Sequence, residues 1–314
     1  MPPCHGGGRE FESHPGRQLI LYMRMWLSGR ASPCQGEGRE FESRHPLHFL
    51  LRRHSQVVRQ RSATPLPPVQ IWVAPPKLSP DGDFFIERIF MLIISYKANE
   101  DFKKFLKREG FSFLETTPNP NLDPRIADHP DLSLFKLDEK TLVVDREVFS
   151  YYEEKLKGFN LIKGEAVSKK YPKDALYNIV RFKNFYIHND FTEINIKKYF
   201  DENKIGHFKV KQGYTRCSVI PLPNFLLTSD YGIYKSLRDK IDIRLVESDK
   251  VELDGFDQGF LGGTCGLVGD KIIFTGDIRK HKAYPDIKEI CQSQNIEIIF
   301  PNCKLIDLGS IIEI

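Results

Sequence analysis

A short pattern of apolar and polar positions recurs through residues 91–314. Three or four apolar residues are followed by two small or polar residues and then by Asp, and a looser copy lacks the small pair. The tracts end at Asp145, Asp190, Asp230 and Asp277, 40–47 residues apart. The apolar runs are typical of buried strands, and the sequence after each Asp has helical periodicity. The pattern predicts four strand-to-helix junctions at which Asp caps the first turn of the helix.

Each junction belongs to a larger unit. Every helix-like segment is followed by another apolar segment, and a tight turn such as residues 138–140 joins each apolar tract to a preceding strand. The unit is therefore strand–strand–helix–strand, four times over. Residues 305–314 predict a lone strand, while 91–96, 100–109 and 111–114 predict a strand, a helix and a strand. Joined together, these ends make a fifth unit. We predict an α/β fold, a five-repeat α/β propeller closed by both termini.

Residues 1–90 contain a different repeat. The peptide Gly-Arg-Glu-Phe-Glu-Ser occurs at 8–13 and at 38–43, a shift of 30 residues, without apolar positions at a period of 2 or 3.6. In one reading frame, its Glu-Phe-Glu-Ser portion is what the T-loop of a transfer-RNA gene encodes. We therefore expect residues 1–90 to be disordered and a product of spurious upstream translation, with 91–314 as a single domain starting at Met91. The alternative is a genuine disordered basic arm, which the Pro, Gly, Ser and Arg content favours.

The net charge of +4 lies entirely within residues 1–90, because residues 91–314 hold 34 basic and 34 acidic side chains. A neutral domain has no electrostatic reason to bind nucleic acid, so we expect no such partner. The apolar run at 85–96 is interrupted by charges and is too short to cross a bilayer, so no membrane partner is expected. The four cysteines of 91–314 have no paired spacing, which favours a reducing cytoplasmic location. No cofactor and no metal are expected.

Five strand–strand–helix–strand units around a pseudo-fivefold axis resemble the pentein fold of guanidino-group-modifying enzymes. That superfamily includes arginine deiminases, dimethylargininases and amidinotransferases. The phrases GYTRC (213–217), GFLGGTCGL (259–267) and LIDLGSII (305–312) resemble an uncharacterised bacterial branch of it, and the resemblance covers all of 91–314. The resemblance implies a central polar channel in which a Cys nucleophile, a His and carboxylates act on a guanidinium group.

The usual catalytic positions are filled differently in this chain. Alignment on the motifs places Phe260 where the superfamily has its His and Gly309 where it has its nucleophile. Cys265 and Cys217 are therefore the candidate relocated nucleophiles, since both fall on first strands whose ends approach the channel. The alternative is that each is a small buried apolar residue.

Polar residues at strand ends supply the candidate substrate-binding groups. Asp131, in the sequence His129-Pro130-Asp131, resembles a first-repeat Pro-Asp of dimethylargininases and is the best candidate for a guanidinium-binding acid. Four further residues complete the predicted set: Arg216, Asp257, Asp307 and Ser310.

Two functions follow from these residues. The first is a small-molecule hydrolase or transferase that acts on C–N bonds of a guanidino- or amidino-type compound in the channel. The second is a non-catalytic binding module, associated with a ribosome or another protein, as the same architecture can serve as a binding surface.

Overall fold

The computed structural model describes residues 91–314 and, in addition, the backbone of one two-residue antiparallel pair, Lys77–Leu78 with Phe84–Phe85. Residues 91–314 lie within one compact unit. Apart from that pair, the predictions for residues 1–90 lie outside the described residues. No helix within the described part of the chain is long and apolar enough to span a membrane.

Residues 91–314 form five three-stranded sheets that share one topology. In each sheet the first strand pairs antiparallel with the second, and the third pairs parallel with the second. The strands, in the order first, second and third, are Ile312–Glu313, Met91–Ile94 and Ser112–Glu115 in sheet 1; Leu134–Lys136, Thr141–Asp145 and Asn160–Gly164 in sheet 2; Val180–Phe182, Phe185–His188 and Gly206–Lys209 in sheet 3; Val219–Pro221, Leu226–Thr228 and Ile243–Leu245 in sheet 4; Cys265–Val268, Lys271–Phe274 and Glu297–Ile299 in sheet 5.

A helix connects the second and third strands of every sheet. These helices are Glu100–Arg108, Phe149–Lys155, Ile194–Glu202, Tyr231–Leu237 and Tyr284–Ser293. The strand–strand–helix–strand order is therefore as the sequence predicts. Sheet 1 joins the two ends of the described range, because Ile312 pairs with Ile93 and Glu313 with Leu92.

The helices bury one face against their own sheets. In the first helix Phe102 and Leu106 are fully buried, and they pack in one cluster with Leu92 and Ile94 of the neighbouring strand. Burial of each such side chain contributes roughly 1.5–3 kcal/mol relative to exposure. The sequence pattern of each unit thus encodes its own local core.

Of the four Asp residues predicted to cap helices, one caps its helix and a second caps only a separate 3₁₀ turn that precedes its helix. Asp230 accepts a hydrogen bond from the third residue of its helix at 2.9 Å, and Asp277 caps the 3₁₀ turn Ile278–Lys280. Asp190 is not a cap, because the helix begins four residues later and buried Glu193 fills that position. The Asp145 carboxylate instead accepts amide hydrogen bonds at 2.8 Å and 2.7 Å from the turn after its strand and from a distant loop.

Five segments lead into the first strands and meet one another; we call them the entry segments. They span residues 128–133, 174–179, 213–218, 260–264 and 305–311 and include the short turns Pro130–Ser133, Thr215–Ser218 and Gly262–Thr264. Backbone hydrogen bonds join them: the Asp131 amide donates to the Gly309 carbonyl at 3.4 Å, and the Ser310 amide donates to the Gly263 carbonyl at 2.9 Å. Polar residues of the entry segments are thereby brought together from all parts of the domain.

Candidate functional site

The carboxylate of Asp131 lies at the centre of the entry segments. Its Oδ2 accepts hydrogen bonds from the Ser310 hydroxyl and from the Cys217 thiol, the latter at 3.2 Å. The residue is 2 % exposed, and its Oδ1 has no hydrogen-bond partner within the described part of the chain. A buried acceptor without a donor is unfavourable by about 1–3 kcal/mol, so this oxygen is suited to receive a donor from a ligand.

Asn178 fixes the position of the Cys217 thiol. Its side-chain amide donates to Cys217 Sγ at 3.2 Å, while its Oδ1 accepts from the backbone amides of Arg216 at 2.7 Å and Cys217 at 3.1 Å. Asn178 is fully buried. One side chain of sheet 3 therefore holds the turn that carries the thiol of sheet 4.

His129 and Asp307 complete a compact group with Cys217. One ligand-type atom of each residue, a ring nitrogen, a carboxylate oxygen and the sulfur, lies within 4.8 Å of the other two. All three residues are buried, at 4 %, 1 % and 2 % exposure. Within residues 91–314 the His129 ring makes no hydrogen bond, in contrast to the other members of the group.

Backbone amides orient the Asp307 carboxylate. Oδ2 accepts from the Phe260 amide at 2.8 Å, and Oδ1 accepts from the Gly309 amide at 3.0 Å. The loop can approach so closely only because it carries glycine: a Cβ on Gly263 would lie 2.0 Å from Asp307 Oδ1. The Gly-rich sequence 259–263 thus forms the support of this carboxylate.

The Arg216 side chain links sheets 4 and 5 through hydrogen bonds. Its guanidinium donates to the carbonyl oxygens of Val219 at 3.1 Å, Gly262 at 3.0 Å and Cys265 at 3.0 Å. These bonds use much of its donor capacity, so its role in the site is chiefly the positive charge that it places near Asp131.

Burial raises the pKa of both the central acid and the central thiol, whereas nearby charges act on the two groups in opposite directions. Burial raises the pKa of Asp131, and the charge of His129, the Ser310 hydrogen bond and Arg216 oppose this shift. Burial raises the pKa of the Cys217 thiol well above its usual range, and the nearby carboxylates of Asp131 and Asp307 raise it further. At neutral pH the Cys217 side chain is therefore a thiol in this arrangement.

The structure brings together five of the predicted site residues, namely Asp131, Arg216, Cys217, Asp307 and Ser310. Cys265 does not present its thiol to this group: it is fully buried in an apolar cluster that includes Cys291, and burial raises its pKa to about 12. Asp257 does not join them either. It is exposed on the loop that follows the bridge between residues 252 and 306, where it lines a separate surface cavity of about 640 Å³.

Two residues of the site were not in the predicted set. His129 directly precedes the Pro130-Asp131 pair, so the motif draws attention to this segment, but the motif itself predicts no role for the His129 side chain. Asn178 lies in a stretch without any motif, and nothing in the sequence pattern distinguishes it from other loop amides.

A cavity of about 370 Å³ borders the site. It is lined by residues from the first strand of every sheet, from Lys136 in sheet 2 to Glu313 in sheet 1, and Asp131 and Arg216 are among its walls. Basic side chains outnumber acidic ones in this lining, which also contains Arg181 and Lys183. The cavity thus combines one buried carboxylate with a basic wall.

Comparison with solved structures gives distant similarities. The chain is 11 % identical to a dimethylarginine dimethylaminohydrolase, with a TM-score of 0.43, over 68 % of this chain and 92 % of the other. It is 10 % identical to an amidinotransferase of Microseira wollei from the saxitoxin biosynthetic pathway, with a TM-score of 0.41, over 70 % of this chain and 94 % of the other. It is also 10 % identical to the agmatine deiminase of C. jejuni, with a TM-score of 0.43, over 71 % and 81 %.

These three proteins are members of the pentein superfamily. TM-scores of this size do not by themselves establish a shared fold, so the fold rests on the topology of the five sheets. No curated protein sequence matches the chain. A family model matches residues 93–312, which is well over half of the chain and contains every residue of the central site. The chain therefore belongs to the family described as "Family of unknown function (DUF6873)".

Proposed function

We propose that this protein binds a small molecule with a guanidino- or amidino-type cation in the cavity bounded by the five first strands. The observation that carries the proposal is Asp131, a buried carboxylate in the cavity wall with one oxygen that lacks a partner among residues 91–314. A cationic N–H group can donate to this oxygen while Ser310 and Cys217 keep their hydrogen bonds to Oδ2, and charge-assisted bonds of this kind are strong in a site of low polarity.

The cavity lining supports an arrangement of the sheets as blades around one axis. Its walls come from the first strands of all five sheets, as the five-repeat α/β propeller of the pentein fold requires. The lining includes residues of the entry segments, such as Asp131 and Arg216, and residues next to the hairpin turns, such as Lys183 and Pro223.

The charge of the wall narrows the ligand class. Lys136, Arg181 and Lys183 line the cavity beyond Asp131. A ligand with only a cationic group would be repelled by these side chains, whereas one that also carries a carboxylate would match both regions. We therefore propose a zwitterion, a guanidino or amidino carboxylic acid, whose cation lies at Asp131 and whose carboxylate lies at the basic wall.

Binding to a panel of such acids tests the proposal. The panel should include, for each compound, the neutral urea analogue and the analogue without the carboxylate. Titration calorimetry is expected to show binding of the zwitterion and weaker binding of both analogues. Asp131→Asn should weaken binding by at least about tenfold, because a hydrogen bond to a charged group contributes roughly 1.5–3 kcal/mol.

Asp257→Asn is the matched control, since it removes the same charge at a residue that lies outside this cavity. It should bind like the wild type. Equal affinity of Asp131→Asn and the wild type for every compound would refute the proposal.

The same panel distinguishes an enzyme from a binding module. Cys217 is the one of the two candidate nucleophiles that contacts Asp131, so thiol catalysis would be lost in Cys217→Ser and retained in Cys265→Ser. Tight binding without any product, together with capture of a protein or ribosomal partner, would favour the binding module.

A further inference from the structure

A second kind of ligand fits the group formed by His129, Cys217 and Asp307. These residues come from three entry segments, yet one nitrogen, one sulfur and one oxygen all lie within 4.8 Å of one another. Imidazole, thiolate and carboxylate are the side chains that bind zinc and related transition metals, and three of them with one open position is the arrangement of catalytic zinc sites. We propose that His129, Cys217 and Asp307 bind one divalent transition-metal ion of the zinc class.

The surroundings of the three residues support this inference. Metal ligands are normally oriented by a further layer of hydrogen bonds. Both Asp307 oxygens accept a backbone amide, and Cys217 Sγ accepts the side-chain amide of Asn178 at 3.2 Å. A sulfur that accepts a hydrogen bond is well placed to serve as a thiolate ligand.

An unsatisfied polar atom beside this group favours a bound cation. Oδ1 of the neighbouring Asp131 is buried and has no partner within residues 91–314. Two carboxylates and a thiol are thus buried together, at no more than 2 % exposure each. Burial of carboxylates is costly unless positive charge accompanies them. The chain supplies Arg216 near Asp131, and a bound cation would add positive charge beside Asp307 and Cys217.

The chemistry of the ligands decides the kind of metal. A sulfur ligand selects zinc, cobalt or iron over magnesium and calcium, which prefer oxygen. One thiolate, one carboxylate and one neutral imidazole balance a divalent charge, so the complex would carry no net charge. Metal binding would release the Cys217 thiol proton, and with it the hydrogen bond to Asp131 Oδ2, which lies 3.2 Å from the sulfur. Asp131 is not one of the three metal ligands and would still line the cavity.

Cobalt(II) uptake by the full-length protein tests this inference. Because the three residues are almost completely buried, the metal is added during refolding from urea under reducing conditions. The wild type should bind about one equivalent of cobalt and show the near-ultraviolet absorption of a cobalt–thiolate bond. Zinc should displace the cobalt and raise the melting temperature.

Cys217→Ser should lose this absorption, while Cys265→Ser is the matched control and should keep it, since Cys265 is equally buried but lies outside the group. If circular dichroism shows that Cys217→Ser does not fold, His129→Gln serves instead. It retains the thiol and should bind cobalt at least about tenfold more weakly. Absence of stoichiometric uptake by the wild type, or a thiolate band that survives in Cys217→Ser, would overturn the inference.

The metal and the small molecule are measured separately. Calorimetry on Asp131→Asn reports the small-molecule site, and cobalt absorption on Cys217→Ser reports the metal. Either proposal can therefore fail while the other stands.

Discussion

Replacement of Gly309 by alanine should destabilise the protein through two separable effects. Gly309 has a φ of +74°, and its missing Cβ would lie 2.2 Å from the Cβ and 2.3 Å from the Cγ of His129. The first effect is the left-handed backbone, which is unfavourable for a residue with a side chain by roughly 1–2 kcal/mol. The second is the collision with a buried ring, at a place where the protein is closely packed.

Gly110 provides a control for the first effect alone. It has a φ of +86°, and a Cβ there would meet nothing within 4 Å. Gly110→Ala should therefore reduce the free energy of unfolding by roughly 1–2 kcal/mol. Gly309→Ala adds the overpacking of a buried site, roughly 1–3 kcal/mol more. The difference in the free energy of unfolding between the two variants therefore measures the cost of the steric clash with His129.

Urea unfolding followed by circular dichroism gives both values from the midpoints and slopes. The prediction concerns the difference, so errors common to both extrapolations cancel. Equal losses in Gly309→Ala and Gly110→Ala would show that the His129 ring does not fill the space beside Gly309. In that case the geometry proposed for the metal ligands would also be wrong.

Three further predictions concern buried polar groups. Asn178→Ala removes the acceptor of the buried Cys217 amide, one of the two acceptors of the Arg216 amide, and the donor to the Cys217 sulfur. It should lower the free energy of unfolding by about 1–3 kcal/mol, whereas exposed Asn184→Ala should change it by less than about 0.5 kcal/mol. Burial lowers the pKa of His188 from its usual 6.5 to about 4, so the unfolded chain binds this proton more readily. The His188 contribution to stability is then complete above pH 6.5 and is lost as the pH falls toward 4, by about 1.4 kcal/mol per pH unit. The midpoints of urea unfolding at pH 7 and pH 5 should therefore differ more in the wild type than in His188→Asn. The Tyr152 hydroxyl is buried without a partner among the described residues, so Tyr152→Phe should be neutral or stabilising by up to about 1 kcal/mol, while Tyr177→Phe, which loses a 2.6 Å hydrogen bond, should be destabilised by about 1 kcal/mol in thermal unfolding.

The repeated topology could be predicted from sequence because it depends on local patterns. Each second strand is an apolar run, each helix has its own buried face, and each hairpin has a short turn. Every unit can therefore be recognised from the pattern of its own residues. Precise boundaries depended on longer contacts. Residues 305–314 predicted one strand, but only Ile312–Glu313 pair with sheet 1, since Asp307 and Gly309 are drawn into the centre.

The site could be predicted only in part. Asp131, Cys217 and Ser310 stand next to first strands, so their position in a repeat was informative. The role of Asn178 depends on which turn of another sheet lies opposite, which no periodicity records. Asp257 follows an equivalent polar pattern, but its loop lies on the surface and carries the side chain away from the centre.

The pairing in sheet 1 has a consequence for the order of assembly during synthesis. Sheets 2 to 5 each use a continuous stretch of chain and can form as soon as that stretch leaves the ribosome. Sheet 1 instead needs Ile312 and Glu313 to reach Ile93 and Leu92, which were made more than 200 residues earlier. Until then Met91–Ile94 has one open edge, which can pair with other chains. The nascent domain should therefore be most prone to aggregate immediately before its last strand is made, and most in need of a chaperone at that moment.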